Sequence, residues 1–248
     1  MIFDSHSHTK FSADSKMQAA AAISRAESLG IGIIFTEHYD YKLPGEVDFT
    51  FDAAQYFSEY KKFRSDKVKL GVEIGLRKSA REANKNFLAQ GNFDLVIGSI
   101  HVVEDTDIYN PAFFANKDKL TAYKKYFDTM IEEISVADFE VLGHIDYICR
   151  VAPYENPEID EETFKPEVDE VLKILIERGK ILELNTRRLN NKTAVEGLKW
   201  LYTRYKSLSG ELVTIGSDAH TVNAVGANFG VALEFIKEIG LSVKNPNG

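Results

Sequence analysis

A chain of 248 residues, 44% hydrophobic and 27% charged, carries enough apolar material for one large domain over residues 1–248, a length that α/β barrels commonly reach without dividing. Thirty-eight acidic against thirty basic residues give a formal charge of -8, which argues against a surface built to hold a nucleic-acid backbone but not against a small phosphoester held through metal ions. The single cysteine, Cys149, rules out an intrachain disulfide, the opening MIFDSHSH has neither the basic start nor the apolar stretch of a signal peptide, and no window approaches the ~18 apolar residues of a membrane span, so a cytoplasmic location with no membrane partner is expected.

Short apolar, β-branched runs alternate with longer amphipathic ones from end to end. Strands are predicted at 2–4, 31–36, 68–74, 93–99, 139–144, 180–185 and 211–217. Between and after them lie helical patterns at 17–29, 52–65, 77–90, 119–136, 162–178, 193–208 and 222–239, four of which run into a glycine (Gly30, Gly91, Gly179, Gly240) suited to a left-handed helix end. Seven βα units without a linker suggest a closed or nearly closed parallel barrel; an open doubly wound sheet has the same periodicity and is the competing architecture. The longest irregular segments, 38–51, 101–117 and 145–161, all follow strands, where the binding loops of such a barrel would lie.

All six histidines fall at or just after a predicted strand: His6 and His8, His38 in FTEH, His101 in IGSIH, His144 in VLGHID and His220 in IGSDAH. Each one taken singly is most often a hydrogen-bonded core or loop residue. Together, at the strand ends that converge on one face of a parallel barrel, they indicate a metal site, because so many buried ionisable groups without a cation would be costly. Carboxylates accompany them: Asp14, Glu37, Glu73 in GVEIG, Asp146 and Asp218. Imidazole with carboxylate and no thiolate suits zinc, manganese or iron. The two-residue period of a strand puts His6 with His8, and Asp218 with His220, on shared faces.

In order along residues 6–220, the series HSH, a downstream Asp, EH, GVE, SIH, GHID and SDAH resembles the polymerase-and-histidinol-phosphatase (PHP) superfamily. The phrases HSHTKFSAD, FTEHYD, GVEIGL and GHIDYICR are most similar to its monofunctional bacterial histidinol-phosphate phosphatases. The resemblance implies a distorted (β/α)7 TIM-like barrel with three divalent metal ions at the C-terminal face of its strands. By motif, His6, His8, Glu73 and Asp218 would hold the first ion; Glu73, as a bridge, would hold the second with His101 and His144; and Asp14, His38 and His220 would hold the third. Catalysis would centre on Glu73, Asp218 and His220.

Such a centre suggests in-line attack by a metal-bridging hydroxide on a small phosphomonoester, without a covalent protein intermediate, and the resemblance implies L-histidinol phosphate as the substrate. Arg150 and Arg187 are the expected phosphate ligands. Strand parity favours Arg187 over Arg188, because Glu183, Asn185 and Arg187 face the barrel interior if Leu182 and Leu184 face the helices. Asp4 and Glu37 are candidates to orient imidazoles from behind, Glu183 is open to a structural or a functional role, and the acidic loop with Glu104, Asp105 and Asp107 offers acceptors for a cationic alcohol but more often would be a solvated loop. Competing functions are a PHP-type phosphoesterase on nucleotides or other phosphomonoesters, a 3'-5' exonuclease, and a C–N hydrolase with a strand-end lysine, for which Lys180 is the one candidate.

Overall fold

The computed structural model describes residues 1–244 and 246. Each predicted strand is present, several of them shortened: β1 (Phe3–Ser7), β2 (Gly32–Tyr39), β3 (Val68–Gly75) and β4 (Val96–Ser99) are followed by a small hairpin, β5 (Val102–Val103) with β6 (Thr106–Asp107), and then by β7 (Val141–Leu142), β8 (Ile181–Asn185), β9 (Leu212–Gly216) and β10 (Ser242–Val243). The main sheet is parallel throughout, in the order β1-β2-β3-β4-β7-β8-β9-β10. An open doubly wound sheet would reverse its order at a switch point, and here the order follows the chain.

Closure is uneven along the barrel axis. Near the C-terminal strand ends, Ser7 bridges Ala219, Asp218 N–H donates to His6 O at 2.8 Å and His8 N–H donates to Ala219 O at 2.8 Å. At the other end β10 lies beside β9, pairing Ser242 with Leu212. This eighth strand was not foreseen, since two residues are too few for a period-2 signal. The mouth is therefore the part drawn together, and the histidines lie there.

The helices are α1 (Ala19–Ser28), α2 (Ala53–Tyr60), α3 (Arg81–Leu88), α4 (Lys119–Ile134), α5 (Glu161–Glu177), α6 (Lys192–Ser207) and α7 (Phe229–Ile239). Four begin at an Asp or Asn whose side chain accepts a backbone N–H of the first turn: Asp52 from Gln55, Asp118 from Thr121, Asp160 from Thr163 and Asn191 from Thr193 and Ala194. Gly30, Gly179 and Gly240 take positive φ as expected. Gly91 does not; a Cβ there would lie 2.0 Å from the Phe57 ring, so this glycine serves close approach of a side chain rather than a helix end. The predicted helices at 77–90 and 222–239 each start later than expected, behind short 3-10 turns at Lys78–Ala80 and Val222–Ala224. Arg77 is drawn away as its guanidinium donates to Tyr41 O at 2.6 Å. Leu182 and Leu184 face the main core with Val171, Leu175 and Leu201, which leaves the alternate residues of β8 for the barrel interior.

Candidate metal centre

Register creates the first contact of the site. β2 and β3 pair with His38 directly opposite Glu73, and the β3–β4 register sets Gly75 against Ser99. Glu73 is fully buried and its two oxygens face different groups. Oε2 lies 3.2 Å from His6 Nε2, 3.5 Å from His8 Nε2 and 2.9 Å from His38 Nδ1. Oε1 lies 2.8 Å from His144 Nε2 and 3.4 Å from His101 Nε2, and accepts the Ser99 hydroxyl at 2.6 Å. One carboxylate thus stands between two sets of imidazoles.

Asp218 completes the first set, with Oδ1 at 3.4 Å from His8 Nε2 and 3.9 Å from His6 Nε2. Its φ of +53° is in the left-handed region, which Asp tolerates better than most residues and which directs its N–H back to β1. A third set lies outward: Asp14 Oδ2 is 3.0 Å from His220 Nε2 and 3.7 Å from His38 Nε2. The rings form a continuous array, with His8 stacked on His38 and on His220 at centroid distances of 4.1 and 4.3 Å. All nine residues expected to ligate metal meet at the barrel mouth. Among the described residues, His8, His38 and His220, His6, Glu73 and His144, and His6, His8 and Asp218 each bring possible ligand atoms within 4.8 Å of one another.

The donor set fits divalent cations. His6 Nε2, His8 Nε2, His38 Nδ1, Glu73 Oε2 and His144 Nδ1 are buried without a well-aligned hydrogen bond, even where they approach one another as His38 Nδ1 and Glu73 Oε2 do, a concentration that folded proteins avoid unless an ion satisfies it. Electrostatics agree. Burial pushes the Glu73 carboxyl up, but His6, His38 and His101 outweigh it and hold it well below its usual range. Asp218 is likewise held well below, burial being outweighed by Arg150 and His6. His8 is pushed well down by burial and then by His38 and His220, which keeps its nitrogens free of a second proton.

Several imidazoles are fixed from behind through Nδ1, a common need of metal-binding histidine. His6 Nδ1 lies 2.6 Å from Glu183 Oε1, and His220 Nδ1–H donates to the Asp218 carbonyl at 3.0 Å. His8 Nδ1 meets Ser12 Oγ at 3.1 Å, and that hydroxyl donates to Glu37 Oε2 at 2.7 Å, so Glu37 acts on His8 through a serine rather than directly. Asp4 does not orient an imidazole. Its carboxylate accepts from Ser217 N at 2.9 Å, Ser217 Oγ at 2.6 Å and Gly226 N at 2.8 Å, fastening β1 to the chain beyond β9. Asp40, which the motif reading passed over, occupies the orienting role for His101, Oδ1 lying 2.9 Å from Nδ1. Its place two residues after His38 on β2 was the signal, since that spacing returns a strand to the same face.

Above the cluster opens a cleft of about 440 Å³, lined by Asp14, His38, His101, His144, Asp218 and His220 together with the arginines Arg150 and Arg187. The three long loops each contribute: Leu43 and Phe49 from the first, Asp107 and Tyr109 from the second, Tyr147 and Arg150 from the third. Arg150, nearly buried, donates to Asp218 Oδ2 at 2.6 Å and Asn185 Oδ1 at 3.0 Å. Arg187 keeps 47% of its side chain exposed and reaches only 3.4 Å from Asp218 Oδ2. Arg188 turns away to Asp146 at 2.7 Å and Glu158, as the strand parity predicts.

Of the acidic loop only Asp107 lines the cleft; Glu104 pairs with Lys125, and Asp105 is 87% exposed, 3.8 Å from Arg77. Lys180 precedes β8 at the opposite end from the histidines, its ammonium 5.4 Å from the Phe139 ring centroid, which removes the one lysine a C–N hydrolase reading relied on. Cys149 is buried, its thiol pushed up to about 12 by burial and Asp146, in keeping with an inert role. Among the described residues no helix is long and apolar enough to cross a membrane.

Residues 4–187 match the PHP domain family. A protein of Clostridium acetobutylicum described as a probable histidinol-phosphatase is 43% identical over 97% of this chain and 95% of its own length. The histidinol-phosphatase of Lactococcus lactis is 29% identical over 96% of this chain and 91% of its own. A crystal structure of histidinol phosphate phosphatase from the same Lactococcus, in complex with zinc, L-histidinol and phosphate, superposes with a TM-score of 0.90 at 28% identity, covering 98% of this chain and 95% of that one. With the family matched over most of its length, its motif histidines gathered at one barrel mouth and a relative 43% identical from end to end, this protein belongs to the PHP domain family.

Proposed function

We propose that this chain is a cytoplasmic, single-domain, metal-dependent phosphomonoesterase that hydrolyses L-histidinol phosphate to L-histidinol and phosphate in histidine biosynthesis. The observation that carries the reading is the sharing of Glu73 between two sets of imidazoles directly beneath a cleft that also presents Arg150 and Arg187. The substrate is supported by the Clostridium and Lactococcus relatives and by the L-histidinol and phosphate in the Lactococcus complex.

In this reading His6, His8, Glu73 and Asp218 would hold one divalent ion, Glu73, His101 and His144 a second, and Asp14, His38 and His220 a third. Zinc, manganese and iron all suit these donors. Ions bound there supply acidification of water toward neutral pH and positive charge for the phosphoryl oxygens. The protein supplies position. Asp218 and His220 line the cleft where the phosphoryl group would lie and Glu73 lies beneath it; Asp218, fixed by Arg150, keeps one oxygen toward His8 and the other toward the guanidinium. Arg187 offers its planar fork to phosphoryl oxygens from the rim, and Arg150 adds positive charge at the same wall, its Nε still unpartnered. Tyr109 and Tyr147, 5.5 Å apart, wall the side where the alcohol would lie.

Metal analysis of purified protein, combined with phosphate release from histidinol phosphate, an aryl phosphate and nucleotides, tests the proposal. Bound divalent metal and preferred turnover of histidinol phosphate are expected. Nucleotide turnover faster by a large factor would move the enzyme to another phosphoesterase substrate while leaving the chemistry in place.

A further inference from the structure

Glu183 is fully buried on β8, contacts no substrate-facing surface and belongs to none of the ligand sets above. Its two oxygens are nevertheless divided between two of them. Oε1 lies 2.6 Å from His6 Nδ1, while Oε2 accepts the backbone N–H of His144 at 2.8 Å and the Asn185 amide at 3.2 Å. Asn185 passes the connection on: its Oδ1 accepts from Arg150 at 3.0 Å and from the Arg187 backbone N–H at 3.1 Å. Space is kept for this carboxylate on β9, where a Cβ at Gly216 would lie 2.3 Å from Glu183 Oε1 and 2.4 Å from His6 Cβ.

The geometry points to Glu183 as a positioning residue that couples the first and second ion sites, holding His6 in the tautomer protonated at Nδ1, with Nε2 free, while fixing the backbone that carries His144. This rests on the proposed metal roles of His6 and His144. Only a carboxylate can do both: each oxygen faces an N–H donor, so a carboxamide in that place must aim its own NH2 at one of them. A second carboxylate behind a liganding imidazole also raises its basicity, and loss of such a partner typically weakens metal retention about 10- to 100-fold.

The test compares Glu183→Gln with wild type, both reconstituted with zinc, by ions retained per chain during competition with a chelator, with no substrate present. We expect zinc to be lost from E183Q about 10- to 100-fold more readily, and from two sites rather than one. A merely structural role would lower the melting temperature of metal-loaded and metal-stripped protein alike and leave chelator resistance unchanged, which would overturn the inference. Should E183Q not fold, the nitrogen NMR spectrum of zinc-loaded wild type labelled at histidine decides: His6 must carry its proton on Nδ1, and a proton on Nε2 would sink the assignment. Wild type that takes up no zinc would overturn both the metal reading and this one, whereas E183Q matching a zinc-binding wild type overturns this one alone.

Discussion

His6, His8 and Glu73 are wholly buried at the floor of the barrel mouth, whereas Asp14, at its rim, leaves 41% of its side chain in solvent, with His38 and His220 at 11% and 17%. The floor residues are on or next to strands and are braced by Glu183, Ser12 with Glu37, and Ser99. Asp14 is on a loop, and its contacts are the imidazoles themselves. Burial opposes its ionisation, but the hydrogen bond from His220 and the nearby His38 hold it at about 2, so it is anionic at neutral pH without any bracing from the strands. The same residue types therefore make two kinds of environment: a floor whose geometry is held by the strands, and a rim open to solvent and held mainly by the imidazoles themselves. The arginines repeat the contrast, Arg150 at 8% side-chain exposure and Arg187 at 47%.

The contrast can be broken in several places. The largest effect is expected from Glu73→Ala, which would take a ligand from both proposed floor sites at once: turnover should fall by about 10³-fold or more, and metal analysis should show two ions lost. Full activity with three ions retained would remove the bridge from the mechanism. Arg150→Ala leaves Asp218 buried opposite an empty place, so unfolding experiments should show a loss of about 3–5 kcal/mol in addition to lost activity. Arg187→Ala should leave the melting temperature near that of wild type yet lower kcat/KM for phosphoesters about 10- to 100-fold, the value of one or two charge-assisted hydrogen bonds. Equal destabilisation by the two substitutions would erase the distinction between buried and rim arginine.

Graded chelation should remove one ion per chain before the others, and Asp14→Asn should abolish that early step without altering the later ones. Simultaneous release of all ions in wild type would mean that floor and rim act as one unit. The smallest effect is expected at Asp105: its substitution by alanine should change steady-state kinetics by less than about twofold, because an exposed ion pair contributes little.

The alternation of apolar and amphipathic runs was enough to locate all seven long βα units, whereas the N-caps Asp52, Asp118, Asp160 and Asn191 emerge only from the structure. Periodicity over two residues carries no signal, so β10 and the β5–β6 hairpin were invisible. Among the site residues, the histidines and their carboxylates stood out because imidazole at a strand end is unusual in every case at once. The residues behind them were harder. Asp4 and Glu37 stood out for orienting an imidazole as acidic residues on strands, Glu183 was open to either role, and Asp40, just beyond the end of β2, was passed over. Asp4 instead meets Ser217 and Gly226, more than two hundred positions away, and only the β1–β9 closure brings those groups together.

By itself the sequence determined the order of strands and helices, the set of ionisable groups at the strand ends and, through two-residue parity, which of Arg187 and Arg188 faces inward, because these depend on local periodicity and residue chemistry. Tertiary structure alone decided the rest: the register that sets His38 opposite Glu73, the division of the two Glu73 oxygens between imidazoles from four different strand ends, and the choice of Glu183 and Asp40 as orienting carboxylates. Those are matters of ångströms between residues far apart in the chain, and they are fixed only when the barrel closes and burial removes water as an alternative partner.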